Sequence, residues 1–337
     1  MKTSTLANHL LAILLLSPSL ALAQDYEATL TEHGHPDLQG VWNFSTRVPL
    51  ERPTRYGNVE FLSDVEASPN TQSRTSSNTS SAPRRRSSTS IIGGYNGFWN
   101  DREALQQSTR TSQIIYPLDG RIPAVNPGVQ VQIGGDQTSD NYIPGTRPVR
   151  YTHGGISRDG PEYRGLSERC IVFNTGPPLL SGPYNNHIQI VQNADHVVVL
   201  VEMGFDARIV SIDNRPHIDG AIQQWSGDSR GYFEGSGLVI ETRNFTNLVG
   251  SISLRGVAYG NAEDRLLIER FTPTGPNTLD YQFTIDDATT FSDKIIGITS
   301  MTRVDDRIYE YACHPGNYAL KGILRAGRVE EAAAVNQ

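Results

Sequence analysis

Residues 225–242, WSGDSRGYFEGSGLVIET, decide how this chain folds. Asp228, Arg230, Glu234 and four glycines crowd the first thirteen positions, and an alternating strand comes next. RGYFEG and GLVIET flank a Gly-Ser-Gly turn, the pattern of a β-hairpin. Gly235 and Gly237 allow positive φ there. Asp228 can accept hydrogen bonds from following amides, and Arg230 can pair with it, so a polar turn explains the stretch taken alone.

The same grammar recurs outward. HIQIVQ (187–192) and HVVVLVEM (196–203) flank Asn193-Ala194-Asp195, and RIVSID (208–213) comes after them. RLLIERFTP (265–273) and TLDYQFTID (278–286) flank TGPN, while KIIGITSMTRV (294–304) and RIYEYAC (307–313) flank Asp305-Asp306. These pairs predict an all-β fold, an antiparallel meander closing into a barrel, with a β-sandwich as the alternative. PDLQGVWNFST (36–46) reads as a first strand, TSQIIYP (111–117) as another, and DGRIPAVNPG (119–128) as turns. A short helix is expected over 101–108, loop over 143–167, and a C-terminal helix over 317–335 that caps or packs against the barrel. No internal repeat of fixed period occurs.

Lys2, the apolar run Leu10–Leu16 and the small-x-small pattern at Ala21-Leu22-Ala23 form a signal peptide, residues 1–23, with cleavage expected before Gln24. The run is too short to span a bilayer and no lipobox cysteine comes after it, so a soluble periplasmic or secreted protein is expected. Residues 24–63 hold the first strand, and 91–337 form the remainder of a single β domain. Between them, 64–90 is Ser/Arg-rich with almost no apolar residue, an expected disordered insertion. A net charge of -7 gives no basic footprint for nucleic acid.

The chain has two cysteines, Cys170 and Cys313. In an oxidising compartment an even pair favours a disulfide, against buried free thiols or a metal site at Cys313-His314. No G-x-S-x-G, H-E-x-x-H, P-loop or strand-following G-x-G-x-x-G is present, so no cofactor is expected. His187, His217 and His314 lack a diagnostic ligand spacing, and no metal is expected either.

Between Tyr184 and Glu241 ionisable and amide side chains are dense, on consecutive hairpins that converge if the sheet closes. Asn186, Ile188 and Ile190 share one strand face and His187, Gln189 and Val191 the other, a mixed polar face suited to a ligand-holding lumen. His217 is the leading acid–base candidate because a free imidazole titrates near working pH, with Asp213 and Arg215 near enough in sequence to tune it. Glu202 ends an apolar strand, where a carboxylate can be desolvated. Tyr184 and His314 are candidate acids. Arg208 and Arg230 are candidates for holding an anionic oxygen. Asn185, Asn186, His187, Trp225 and Tyr311 are candidate substrate contacts.

DLQGVW, YNGFWNDR, ERCIVFNTGPP, GPYNNHIQIVQ, DARIVSIDNRPH, WSGDSRGYFEG and IYEYACHPGNYAL resemble a large family of exported bacterial proteins, mostly uncharacterised. The resemblance covers nearly the whole mature chain except the insertion. It implies a shared fold and a Cys170–Cys313 pair, and supplies no activity. Where that family has His before DAR this chain has Phe205, and where it reads GRWEGDTLV this chain reads GYFEGSGLV. Gly40-Val41-Trp42 also resembles the first-strand Gly-x-Trp of calycin (lipocalin-like) barrels, which implies an arginine, Arg303 or Arg307, packed over Trp42.

Two functions are carried forward. One is a cofactor-free acid–base lyase, hydrolase or cyclase acting on a small organic molecule inside the barrel, with His217 or Glu202 as base and Tyr184 or His314 as acid. The other is a lipocalin-like carrier with an apolar lumen lined by Phe173, Trp225, Phe233, Phe283 and Tyr311. A third, an envelope-interaction protein, is suggested only by the insertion and the abundant loops.

Overall fold

A computed structural model describes residues 26–67, 108–133 and 158–335, except positions 175, 183, 205, 255 and 256. The signal segment, Phe205, nearly all of the helix expected over 101–108 and the first part of the 143–167 loop lie outside the described residues. Of the Ser/Arg-rich insertion only Asp64–Ala67 is described, and it forms one helical turn.

Thirteen strands are described: β1 Gly40–Asn43, β2 Ile114–Tyr116, β3 Val131–Ile133, β4 His187–Gln192, β5 His196–Val201, β6 Ala207–Ser211 and β7 Asp228–Glu234, then β8 Gly237–Arg243, β9 Ile252–Ser253, β10 Val257–Tyr259, β11 Leu266–Gly275, β12 Thr278–Asp286 and β13 Ile295–Val304. The order β1-β4-β5-β6-β7-β8-β11-β12-β13 closes on itself through β1–β13, giving a nine-stranded barrel. β2 lies along the first part of β13, and β3-β10-β9 form a small separate sheet.

The hairpins obey the sequence pattern. In the 225–242 stretch Gly235 takes φ +60° as expected, whereas Gly237 does not take a positive φ and sits close to its neighbours, a Cβ there standing 3.2 Å from Thr272 Oγ1. Two expectations fail. The sheet is not a pure meander: β6 and β7 pair in parallel through Ser211↔Arg230, so residues 212–227 must cross back along the wall. RIYEYAC forms no strand, because both edges of β13 are already taken, by β12 on one side and by β1 and β2 on the other. The segment instead leads to the Cys170–Cys313 disulfide, whose Cα atoms are 5.8 Å apart. The helix Tyr318–Val335 comes next and rests on the 158–170 segment. Arg328 bonds the carbonyls of Arg158 and Asp159, and Asn317 bonds that of Glu168.

Alternation fills the lumen with core. Trp42, Ile188, Ile190, Val199, Leu238, Ile240, Phe271, Tyr281, Phe283 and Met301 are all buried in one cluster. The rings of Phe271, Tyr281 and Phe283 stand 5.0 and 6.0 Å apart in succession, and Phe283 lies directly against Gly297. The polar face of β4 therefore looks outward, and Ile188 and Ile190 look in.

A buried ion pair enters this core. Arg208 bonds both oxygens of Glu269, at 2.5 and 3.0 Å, and Tyr281 donates to Glu269 Oε1 at 2.8 Å. Burial opposes the Arg208 charge, but Glu269 outweighs it and raises the guanidinium pKa. The Tyr281 phenol is pushed well up, by burial first and then by Glu269. Arg208 is thus a structural ion-pair member and does not reach a surface site. At one mouth, Arg303 packs over Trp42 with its guanidinium carbon 5.8 Å from the ring centroid, as Gly-x-Trp implied. Gly40 makes room for it: a Cβ there would stand 3.0 Å from Arg303 Nε.

Candidate functional site

The crossover 212–227 and the start of β7 build the best-formed polar site, and it lies on the outer wall and not inside the barrel as expected, because apolar side chains fill the lumen. Asp213, expected to tune His217, is occupied elsewhere. It accepts from Ser211 Oγ at 2.7 Å and from the Arg215 fork, and these bonds, Arg215 first, hold its carboxyl far below the usual carboxylate range. That clamp shapes the loop so that Pro216-His217-Ile218 folds back onto β7.

There Asp228, nearly buried, takes His217 Nδ1 at 2.8 Å and the Ile218 amide at 3.1 Å on Oδ2. Its Oδ1 takes Arg230 Nη1 at 2.7 Å. Arg230 also donates to the Ser229 and Pro216 carbonyls, at 2.8 and 2.9 Å. One carboxylate thus fixes an imidazole and a guanidinium side by side. His217 Nε2 and Arg230 Nη2 have no hydrogen-bond partner among the described residues, and the two side chains are 22% and 18% exposed. An imidazole held through Nδ1 presents its other nitrogen for proton transfer, and the guanidinium beside it offers a fixed positive donor.

A second imidazole–carboxylate pair joins the ends of β4 and β5. His187 Nδ1 meets Glu202 Oε2 at 2.9 Å, and the Glu202 amide donates to the His187 carbonyl. Both flank the outer wall. Asn186, fully buried, exchanges two bonds with the Gly182 backbone, and Asn185 takes φ +55°. These two asparagines shape the 182–186 loop. Tyr184 hydrogen-bonds Tyr311, whose phenol is pushed up to about 12 by burial first and then by Tyr184. Tyr311 therefore stays a neutral phenol at working pH.

Between these features runs a shallow, open groove with a volume of only about 30 Å³, and Phe173, Pro177, Trp225, Ser226, Ile252 and Arg265 are among its lining. Tyr311 packs edge-on to Phe173 at 5.4 Å, Gly204 lies under the Phe173 ring, and Ser226 Oγ bonds Asp206 at 2.5 Å. The β5–β6 turn just after Glu202 is therefore the groove's rim. Trp225 and Phe173 line this outer groove, and Tyr311 only backs the Phe173 ring. Of the expected lumen lining, Phe283 is at the core and Phe233 stacks on His35 at 4.6 Å. His314 is exposed in the short turn after the disulfide and joins neither imidazole pair.

Sequence reasoning paired Asp228 with Arg230 but missed that the same carboxylate holds His217, eleven residues away. It also missed Glu269 and Arg265. Glu269 had a readable signal, because it alternates with Leu267 and Phe271 and so must face the lumen. Among the described residues no three metal-ligating side chains cluster. No described helix is long and apolar enough to cross a membrane. No protein-family model, no curated protein and no solved structure matches the chain.

Proposed function

We propose that the protein is an exported enzyme that carries out acid–base chemistry, of the lyase or hydrolase type, on a small organic molecule at the outer wall of the barrel. The observation that supports this is Asp228 bridging His217 and Arg230. His217 Nε2 would take or return the proton, Asp228 would keep the imidazole in one tautomer and orientation, and Arg230 would meet the oxygen on which negative charge develops. Asp228 is a positioning residue, since it acts through the other two. General acid–base transfer by one positioned side chain is worth a factor of about 10²–10⁴.

The test is mass spectrometry of a metabolite extract incubated with the mature protein and with His217→Ala. New masses formed by the wild type and lost with His217→Ala support the reading, and Arg230→Gln should lose about 10²–10³-fold in rate. Equal conversion by wild type and His217→Ala, or conversion lost only with Glu202→Gln, overturns the assignment to His217. A carrier is the second reading, favoured by the apolar walls of the Phe173–Trp225 groove. It is distinguished by a compound that both proteins retain unchanged.

A further inference from the structure

A cavity of about 560 Å³ opens at the barrel end where β8 and β12 stop and β11 starts. That volume falls within the usual range of small-molecule sites, and neither the acid–base site nor the lumen pair uses it. Its walls are loops tied to one another. The Asn126 amide donates to the Thr290 carbonyl at 2.9 Å, the Gly260 amide to that of Gln130 at 3.0 Å, and the Ala262 amide to that of Val249 at 2.8 Å. Asn126 Nδ2 donates to the Ala288 carbonyl at 2.8 Å, and Asp287 Oδ1 takes the Thr289 and Thr290 amides at 3.2 and 3.0 Å. These bonds fix the loops against one another, so a ligand finds the cavity already shaped.

The surface that the loops present is polar and carries little charge. Gln130, Asn247, Asn261 and Asp264 line the cavity and are all exposed, so a molecule inside it can reach them. The side chains of Gln130, Asn247 and Asp264 bond no described residue. Asn261 uses only Oδ1, on the Glu263 backbone amide at 3.0 Å, and keeps its amide nitrogen free. Side-chain amides donate and accept, and an ionised carboxylate accepts. No Lys, Arg, His or aromatic side chain is among the described lining. An anion would find no cation there and would meet the Asp264 charge, and a planar aromatic would find no ring to stack on. Val129 and Leu248 add only a small apolar strip. The matching ligand is uncharged, donates and accepts on several sides, and has a short aliphatic face.

We infer that the cavity binds a neutral saccharide, with Asp264 accepting from its hydroxyls and the three amides donating and accepting around the ring. A sugar hydroxyl, like that of serine, offers one donor and two acceptor lone pairs, which suits this mixed set. The C–H face of the ring meets the Val129–Leu248 strip. The site is separate from His217 and does not depend on the acid–base reading.

The experiment is saturation-transfer NMR titration of the mature chain with galactose, glucose and mannose, each compared with its uronate. Saturable binding of at least one neutral sugar is expected, with its uronate about tenfold weaker because two negative charges then share the cavity. Asp264→Asn should narrow that gap and weaken the neutral sugar about tenfold, the loss of a hydrogen bond to a charged group. Asn247→Ala should weaken sugar and uronate alike. Both positions are exposed and unbonded, so these variants keep the fold. A uronate that binds as tightly as its sugar overturns the neutral class. No saturable binding of any neutral sugar overturns the cavity as the site, and so does binding lost in His217→Ala but untouched by Asp264→Asn and Asn247→Ala.

Discussion

Glu269 stands in the middle of β11 with its bonds going to Arg208 and the Tyr281 phenol and none to solvent. Removing its charge strands the Arg208 guanidinium in the core, so Glu269→Gln should cost about 3–5 kcal/mol. Urea unfolding checks this through a lower midpoint at unchanged slope. Replacing both partners by Leu and Met should cost much less, because no buried charge is then left unpaired. Tyr311 gives a second residue-scale prediction. Its folded pKa of about 12 lies above the ordinary phenol value near 10, so folding favours the protonated form. The associated stability is complete below about pH 10 and is lost as pH rises towards 12. Thermal midpoints from pH 9 to 11.5 should therefore fall more steeply for wild type than for Tyr311→Phe. A matching slope would show that the Tyr311 phenol carries no such linkage. Legibility at this scale tracked sequence distance. Asp228–Arg230, two apart on one strand face, could be read. His217–Asp228 and Arg208–Glu269 could not, because each needs a fold-level register to bring it together.

Strand pairs differ sharply in how firmly they are joined. β11–β12 and β12–β13 pair along eight or more residues, whereas β6 meets β7 only at Ser211↔Arg230. The β6–β7 joint is the weakest seam of the wall, and local opening should begin there. Hydrogen exchange should therefore replace the amides of 207–211 and 228–230 well before those of 279–285. Uniform protection around the barrel would contradict this. The hairpins were legible because a two-residue period and a turn between two runs are local signals, as at Gly235-Ser236 and Asn193-Ala194-Asp195. The parallel joint was not, since residues 212–227 carry no helix or strand pattern that announces a crossover. RIYEYAC shows the opposite failure. Its composition suits a strand, but strand propensity cannot act where no sheet edge is free.

At the scale of the molecule, nearly the whole barrel wall lies inside one covalent loop. Cys170 and Cys313 are 143 residues apart, and β4 to β13 fall between them. In the chain-entropy model a loop of that length stabilises the folded state by roughly 4–5 kcal/mol, an upper figure because denatured chains keep some structure. The same bond anchors the C-terminal helix. Tyr318–Val335 has Gly327 as its buried residue, against Arg158, and is also held by the bonds of Asn317 and Arg328 and by the exposed Arg158–Glu330 ion pair. Two effects should therefore separate in a Cys170→Ser, Cys313→Ser double variant. The denaturation midpoint of the barrel should fall by up to the loop-closure amount, because the unfolded chain is no longer constrained. The 318–335 helix should lose hydrogen-exchange protection under native conditions, because few apolar contacts hold it once the tether is cut. A barrel midpoint that stays put while the helix is released would mean that the bond serves only to dock the helix. A helix that stays protected would mean that its docking on 158–170 is sufficient by itself.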